Sequence, residues 1–131
     1  MTRIMNGQCT TYRLRMPWPR PPISANDRRH RMEDATEVAQ IRHDVGWIVK
    51  AARMPPSDHV TVGLEYVPAT RRCRDGGENL CPTLKACIDG VVDAGVVPDD
   101  APEYVKRTMP EVAPVDRANS GVFLLLELSD T

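Results

Sequence analysis

Residues 74–100 read RDGGENLCPTLKACIDGVVDAGVVPDD, and this stretch contains the features that decide the fold. Pro82 suits the first turn of a helix, Asn79 is a candidate N-cap, and Gly95 is a candidate stop signal. Apolar side chains recur between them at helical spacing, at Leu84, Ile88, Val91 and Val92. The stretch therefore predicts an amphipathic helix that lies between a glycine-containing turn and a pair of aspartates.

Hydrophobic patterns on both sides of this helix predict the other elements. Alternation of apolar and polar residues predicts strands at residues 10–16 and 59–67, and two more strands are expected at residues 104–109 and 121–128. An earlier helix is expected from Asp34, a candidate N-cap, to Arg53, because Pro55 follows. Its core face carries Val38, Ile41, Val45 and Ile48. Trp47 is expected to widen that face.

The predicted order of elements is β-α-β-α-β-β, which indicates one α/β domain with a small mixed sheet packed by two helices. The 131 residues, 41% hydrophobic and 27% charged, are typical of one globular domain that buries its own core. We therefore assign residues 1–131 to a single domain. Within it, residues 1–9 are expected to be a flexible N-terminus, and residues 17–32 form a loop rich in proline and arginine.

Cysteine use and hydropathy favour a cytoplasmic protein without a membrane partner. The four cysteines form no C-x-x-C pair and lie near no histidine at zinc-finger spacing, so we expect reduced thiols, with Cys87 as a small core residue. The longest apolar run, Val122–Leu126, is far shorter than the roughly 20 residues that cross a bilayer. No signal-peptide pattern is present at the start of the sequence.

The formal net charge of −1 is the sum of two oppositely charged blocks. Residues 1–32 carry only arginine as a basic residue besides histidine, and a second arginine cluster follows at residues 71–74. The planar guanidinium matches phosphate oxygens well, although basic runs are also ordinary solvated surface. Acidic residues dominate residues 75–103. This arrangement of an acidic site beside basic flanks is typical of metal-dependent nucleases.

The candidate metal ligands are Asp75 and Glu78, before the second helix, and Asp99 and Asp100, after it. Hydrolysis of a phosphodiester with Mg²⁺ requires oxygen ligands that converge from separate segments. Spacing alone does not establish a metal site: Asp75 can be a turn former beside two glycines, and Asp99 and Asp100 can be part of a polar loop. Lys85 and Asp89, four residues apart on one helix face, are by the same reasoning a solvated surface pair.

The motifs, taken in order, resemble those of RusA-like Holliday junction resolvases, small dimeric endonucleases carried mainly by phages and prophages. The resemblance covers nearly the whole chain. Met16–Pro22 followed by Asn26 is similar to the proline-rich segment of the family, and Arg74–Leu80 is similar to its R-D-x-D-N-L motif. Lys85–Gly90 matches the helix with a lysine and then an aspartate. Ala94–Asp100 matches the A-G-x-x-x-D-D ending.

The resemblance implies a nuclease that uses Mg²⁺, with Mn²⁺ as a substitute, and that binds four-way DNA junctions as a homodimer in recombination and repair. It would resolve them by paired symmetric nicks. The residues implied to bind the metal are Asp75, Glu78, Asp100 and Asp99. Lys85 completes the catalytic set with Asp75, Glu78 and Asp100, and would steady the scissile phosphate. The residues expected to contact DNA are Arg20, Asn26, Arg28, Arg29, Arg31, Arg71, Arg72 and Arg74.

The sequence departs from the family pattern around the first two carboxylates. Gly76 and Gly77 separate Asp75 from Glu78 where the family has one residue, and a glutamate replaces the second aspartate. Lys85 also lies further along its helix. Two other hypotheses therefore stay open: a branched-DNA-binding protein with weakened or lost catalysis, and a small protein-binding domain whose charged segments are unrelated. The apolar surface for a dimer would come from Val122–Leu126 or from the first helix.

Overall fold

A computed structural model describes residues 2–6, 9–23, 31–71 and 76–129 of the chain. It has six strands, two α-helices and one 3₁₀ helix within these residues. The strands are β1 Thr2–Asn6, β2 Cys9–Arg15, β3 Val60–Val67, β4 Val105–Arg107, β5 Glu111–Val112 and β6 Gly121–Ser129. The α-helices are α1 Arg31–Ala51 and α2 Cys81–Asp93, and the 3₁₀ helix Gly77–Leu80 leads directly into α2.

The strands form one mixed sheet in the order β1-β2-β6-β3-β4, with β5 also paired to β3. β6 is antiparallel to both β2 and β3, whereas β4 and β5 are parallel to β3. The prediction of a small α/β domain with a mixed sheet and two helices is confirmed. The predicted order β-α-β-α-β-β was incomplete, because the described residues also include β1 and the two-residue β5.

The N-terminal residues correct one expectation. Residues 1–9 were predicted to be flexible, but Thr2–Asn6 form β1, which pairs antiparallel with β2. An edge strand is held by backbone hydrogen bonds to a single neighbour, so it can form without a strong apolar pattern. That is why alternation of side chains gave no signal for it.

The core lies between one face of the sheet and the two helices. The alternating residues Tyr12, Leu14 and Met16 are buried on β2 and just after it. Their neighbours on β3 and β6 are Val60, Val62, Leu64, Tyr66, Val122, Leu124, Leu126 and Leu128. From the helices come Ile41, Val45, Val49, Leu84, Cys87, Ile88 and Val91. Burial raises the pKa of the Cys87 thiol far above its usual range, so this residue is a protonated core side chain, as expected.

Trp47 does not join this core, contrary to the prediction. Its side chain is 65% exposed and lies edge-on to the ring of His43. The helical rotation explains the error, because a residue two positions after the buried Val45 points about 200° away from it. The predicted helix caps also differ: α1 begins at Arg31 rather than at Asp34, and Leu80 rather than Asn79 occupies the N-cap position of α2 without a side-chain bond. Gly95 has the positive φ of +85° expected of a stop signal.

Phe123 lies on the other face of the sheet, where two arginines cover it. The Arg13 and Arg15 guanidinium carbons lie 3.6 and 4.7 Å from the centre of its ring. Arg13 also donates to Glu65 at 2.7 and 3.2 Å, and Arg15 donates to the carbonyl of Ser120. These arginines are therefore engaged within the sheet. The run Val122–Leu126 also packs within the chain itself, because four of its five residues are buried there.

The two helices cross at Gly90 of α2. A Cβ atom at this position would lie 2.8 Å from the Cβ of Val45 and 2.9 Å from the carbonyl oxygen of Arg42. Beside this contact, Arg42 donates to both carboxylate oxygens of Asp93 at 2.7 and 2.9 Å, and this bonding holds the pKa of Asp93 below its usual range. That ion pair is exposed and adds little stability. The close approach at Gly90 is the stronger constraint.

Gly90→Ala is expected to destabilise the fold, whereas Gly46→Ala is expected not to. Gly46 lies in the same crossing, but a Cβ there would meet only the carbonyl of Gly90, at an ordinary 3.8 Å. Overpacking should lower the free energy of unfolding of Gly90→Ala by about 1–3 kcal/mol. The better helix propensity of alanine should leave Gly46→Ala unchanged or up to about 1 kcal/mol more stable. Thermal unfolding followed by circular dichroism measures both, and equal midpoints for the two variants would contradict the tight crossing.

Among the described residues, no helix combines the length and the apolar character needed to cross a membrane.

Candidate active site

The proline-rich segment is tied to both helices, on either side of the predicted DNA-binding residue Arg20. The indole nitrogen of Trp18 donates to Asp44 of α1 at 3.0 Å. Further on, the hydroxyl of Thr83 in α2 donates to the carbonyl of Ile23 at 2.6 Å and accepts from its backbone nitrogen at 3.2 Å. Thr83 is fully buried, so these two bonds satisfy a polar group that would otherwise be costly. Ile23 is thereby held beside the first turn of α2.

The 3₁₀ helix Gly77–Leu80 is held against the segment after β4. A Cβ atom on Gly77 would lie 1.8 Å from the carbonyl oxygen of Pro110, so only glycine permits this approach. The backbone nitrogen of Asn79 donates to the carbonyl of Gly76 at 3.1 Å, and Leu80 is buried. The 3₁₀ helix that leads into α2 and the backbone at Pro110 are therefore in direct contact. The sequence predicted a glycine-containing turn here but not this contact.

A cleft of about 660 Å³ opens next to this contact. It is lined by the N-terminal part of α2, by Asp100, and by the end of β4 with the residues that follow. The lining residues are Cys81, Pro82, Leu84, Lys85, Ile88, Asp89, Asp100, Arg107, Thr108, Met109 and Pro110. Lys85 and Asp100, two of the predicted catalytic residues, thus line the same cleft. The charged groups around them are Asp89 and Arg107.

Lys85 and Asp89 both face this cleft, as their spacing on one helix face predicts. Within the described part of the chain, the salt bridges found are Arg13–Glu65 and Arg42–Asp93, and none joins Lys85 to Asp89. The expectation of a simple surface ion pair between them is therefore not met. Lys85 is exposed and Asp89 half-buried, so both side chains can reach a ligand in the cleft.

The loop that carries Asp99 and Asp100 is ordered by hydrogen bonds on both sides of Asp100. Its backbone nitrogen donates to Oδ1 of Asp99 at 2.7 Å, and its carbonyl accepts from the guanidinium of Arg107 at 2.7 Å. Asp99 is not among the lining residues of the cleft. The carboxylate of Asp99 thus supports the backbone of the loop, whereas Asp100 is the member of the pair that reaches the cleft.

Glu78 also lies outside the cleft lining. Its carboxylate oxygens would lie 2.7 and 2.8 Å from a Cβ on Gly76, which shows that the side chain turns back over that glycine. The described residues contain no group of three histidine, cysteine, aspartate or glutamate side chains that could hold a metal ion. Asp89 and Asp100 both line the cleft, and carboxylates are the hard oxygen ligands that Mg²⁺ prefers. Asp75, a predicted ligand, lies outside the described residues.

The predicted DNA contacts are only partly described. Arg20 follows Trp18 in the proline-rich segment, and Arg71 follows β3; both are exposed. Arg31 is the first residue of α1, but its side chain is outside the described part. The remaining predicted contacts also lie outside the described residues: Asn26, Arg28, Arg29, Arg72 and Arg74.

Comparison with known proteins does not assign the chain to a family. No protein-family model matches it, and no curated protein does. Among solved structures, it aligns with the periplasmic domain of Helicobacter pylori MotB at 12% sequence identity and a TM-score of 0.41, over 99% of this chain and 85% of that one. A likeness this weak supports no conclusion about function.

Two residues of the site were missed by sequence reasoning. Arg107 was not singled out, although β4 alternates from the buried Val105 to Lys106 and back to Arg107, which places Arg107 on the same side of the sheet as the helices. Thr83 gave no signal, because a threonine in the first turn of a helix is common. Asp89 was noted, but as a surface residue rather than as part of the cleft.

Proposed function

We propose that the protein is a magnesium-dependent, structure-selective endodeoxyribonuclease that resolves four-way DNA junctions as a homodimer. The observation that carries the proposal is that Lys85 and Asp100 line one cleft, although they come from two separate motifs of the RusA-like pattern. Residues from two segments that line one cleft can act on one ligand, which is what the resemblance implies for Lys85 and Asp100. Asp89, which follows Lys85 in the same motif, lines the cleft as well.

The side chains of the cleft suit the chemistry of phosphodiester hydrolysis. Asp100 and Asp89, with Asp75 as the further ligand implied by the family pattern, would hold Mg²⁺ or Mn²⁺. The bound ion would supply charge neutralisation on the phosphate and a water molecule of lowered pKa. Lys85 would place its ammonium group beside the scissile phosphate and stabilise negative charge that develops there. Glu78 and Asp99, which lie outside the cleft lining, are weaker candidates for direct ligands.

DNA binding would rest on exposed arginines rather than on base-specific contacts. Arg20 and Arg71 are exposed, and the tether of Ile23 to Thr83 holds the chain beside α2 where the arginine-rich segment begins. Contacts to phosphates release counterions, so binding should weaken steeply as salt increases. Of the two surfaces predicted for a dimer, Val122–Leu126 is used within the chain, whereas α1 exposes Trp47. Paired nicking requires a dimer of twofold symmetry.

One observation favours a second candidate, a branched-DNA-binding protein with weakened or lost catalysis. The carboxylate of Glu78 turns back on Gly76 instead of lining the cleft. If no other oxygen ligand replaces it, the site would bind a divalent cation weakly. Such a protein would still bind junctions through its arginines.

Incubation of the purified protein with a labelled four-way junction and a matched linear duplex tests the proposal. With Mg²⁺ we expect paired nicks confined to the junction, and none with a chelator. Junction binding should also weaken as salt is raised. Junction that is bound but not cut, in Mg²⁺ and in Mn²⁺, would favour the second candidate. A protein that neither binds nor cuts would contradict both.

A further inference from the structure

Arg107 connects the end of β4 to the loop that carries Asp100. One terminal nitrogen of its guanidinium donates to the carbonyl of Asp100 at 2.7 Å, and the other donates to the carbonyl of Val105, in its own strand, at 3.3 Å. Arg107 also lines the cleft. The planar guanidinium therefore spans the strand and the loop in a fixed geometry.

The bond from Arg107 completes the hydrogen bonding of the Asp100 backbone. On the other side, the backbone nitrogen of Asp100 donates to the carboxylate of Asp99 at 2.7 Å. The loop then turns back to β4, because the backbone nitrogens of Tyr104 and Val105 both donate to the carbonyl of Ala101. The backbone nitrogen and the carbonyl of Asp100 are thus both hydrogen-bonded, and Asp100 lines the cleft.

We propose that Arg107 is a positioning residue, which holds the Asp100 backbone so that the carboxylate of Asp100 presents its oxygens to a divalent cation in the cleft. The inference rests on the proposed function, since it deepens the role of the same site. Arg107 would act through Asp100 and not by binding the DNA phosphate. The guanidinium of Arg107 donates a charge-assisted hydrogen bond to the carbonyl of Asp100, and such a bond is stronger than a neutral one.

Lys106 provides a matched control for Arg107. It is the preceding residue of β4, it is exposed, and it carries the same charge. Its partner in the parallel pairing is Thr61, whose neighbours on the sheet place both residues on the face away from the helices. Lys106→Met therefore removes one positive charge from the same strand without touching the Asp100 loop.

The experiment compares Arg107→Met, Arg107→Lys and Lys106→Met with the unmodified protein. Mn²⁺ affinity is measured by electron paramagnetic resonance titration without DNA, kcat and KM are measured on a four-way junction, and thermal unfolding checks folding. Arg107→Met should weaken Mn²⁺ binding and lower kcat, each by about 10- to 100-fold, the scale seen when a group that orients a metal ligand is lost. KM for the junction should stay within about twofold. Arg107→Lys retains one donor and should recover part of both losses, and Lys106→Met should leave both values unchanged.

Several results would overturn the positioning role. A higher KM with unchanged kcat would show that Arg107 contacts DNA itself. A lower kcat with unchanged Mn²⁺ affinity would place its action on the phosphate rather than on Asp100. Equal effects of Arg107→Met and Lys106→Met would show that Arg107 acts only through its positive charge and not through its position. If Arg107→Met does not fold, the test rests on Arg107→Lys. That variant must weaken Mn²⁺ binding and leave the KM for the junction unchanged, or the inference fails.

Failure of the proposed function gives a different pattern. An unmodified protein that binds Mn²⁺ but cuts no junction would contradict the nuclease proposal. The positioning role would then be judged on the Mn²⁺ affinities of the variants. An unmodified protein that neither binds Mn²⁺ nor cuts would overturn both.

Discussion

Asp100→Asn is expected to abolish paired nicking of four-way junctions while leaving junction binding intact. Asp100 is the residue of the Asp99–Asp100 pair that lines the cleft, together with Lys85. An amide at this position keeps the size of the side chain but removes the negative charge that would hold a divalent cation. We expect kcat to fall by about a hundredfold or more, the scale on which the loss of one preorganised electrostatic group acts.

Two further variants make this prediction specific to Asp100. Glu103→Gln removes the same charge from the same loop, but Glu103 is exposed and does not line the cleft, so cleavage should stay within about twofold. Asp99→Asn retains an oxygen that can accept the bond from the Asp100 nitrogen, so its effect should be much smaller than that of Asp100→Asn. The measurement is single-turnover cleavage of a labelled junction, with binding followed separately in chelator. Equal activity of Asp100→Asn and Glu103→Gln would remove Asp100 from the site.

The central strands of this fold could be predicted from the pattern of apolar residues along the sequence. Alternation at Tyr12, Leu14 and Met16, and again from Val60 to Tyr66, predicted strands whose inward side chains are buried in the structure. Period-two burial identifies a strand that has one face on a core. The edge strand β1 has only one strand neighbour and needs no such pattern, and β5 is only two residues long. Neither could be predicted in this way.

Parts of the site were predicted from the resemblance of the motifs rather than from their spacing. The resemblance put Lys85 and Asp100 in one site, whereas spacing alone left them as a surface lysine and part of a polar loop; both line the cleft. The direction of Glu78 could not be predicted, because a flexible side chain next to two glycines has no preferred target in the sequence. Arg107 could not be linked to Asp100 either, because its partner there is a backbone carbonyl, which leaves no mark on residue identity.

Gly77→Ala is expected to destabilise the protein strongly and to impair the cleft, whereas Gly76→Ala should cost little stability and leave the cleft intact. A Cβ at Gly77 would lie 1.8 Å from the carbonyl oxygen of Pro110, and 3.0 Å from its carbonyl carbon. Both are backbone atoms that cannot rotate away. The 3₁₀ helix must then separate from the segment after β4, and the start of α2, which carries Lys85, must follow it. We expect a loss of about 3 kcal/mol in the free energy of unfolding, at the upper end of overpacking effects.

Gly76→Ala is the matched control for that loss, because the same methyl group is added one residue earlier. The nearest atoms to a Cβ at Gly76 would be those of the Glu78 carboxylate, the far end of a flexible side chain. Its rotation should limit the cost to about 1 kcal/mol or less. Thermal unfolding compares stability, and junction cleavage well below the unfolding midpoint compares the cleft. Equal unfolding midpoints for the two variants would mean that the contact between Gly77 and Pro110 does not hold the start of α2. Normal cleavage by a folded Gly77→Ala would mean that the cleft does not depend on it.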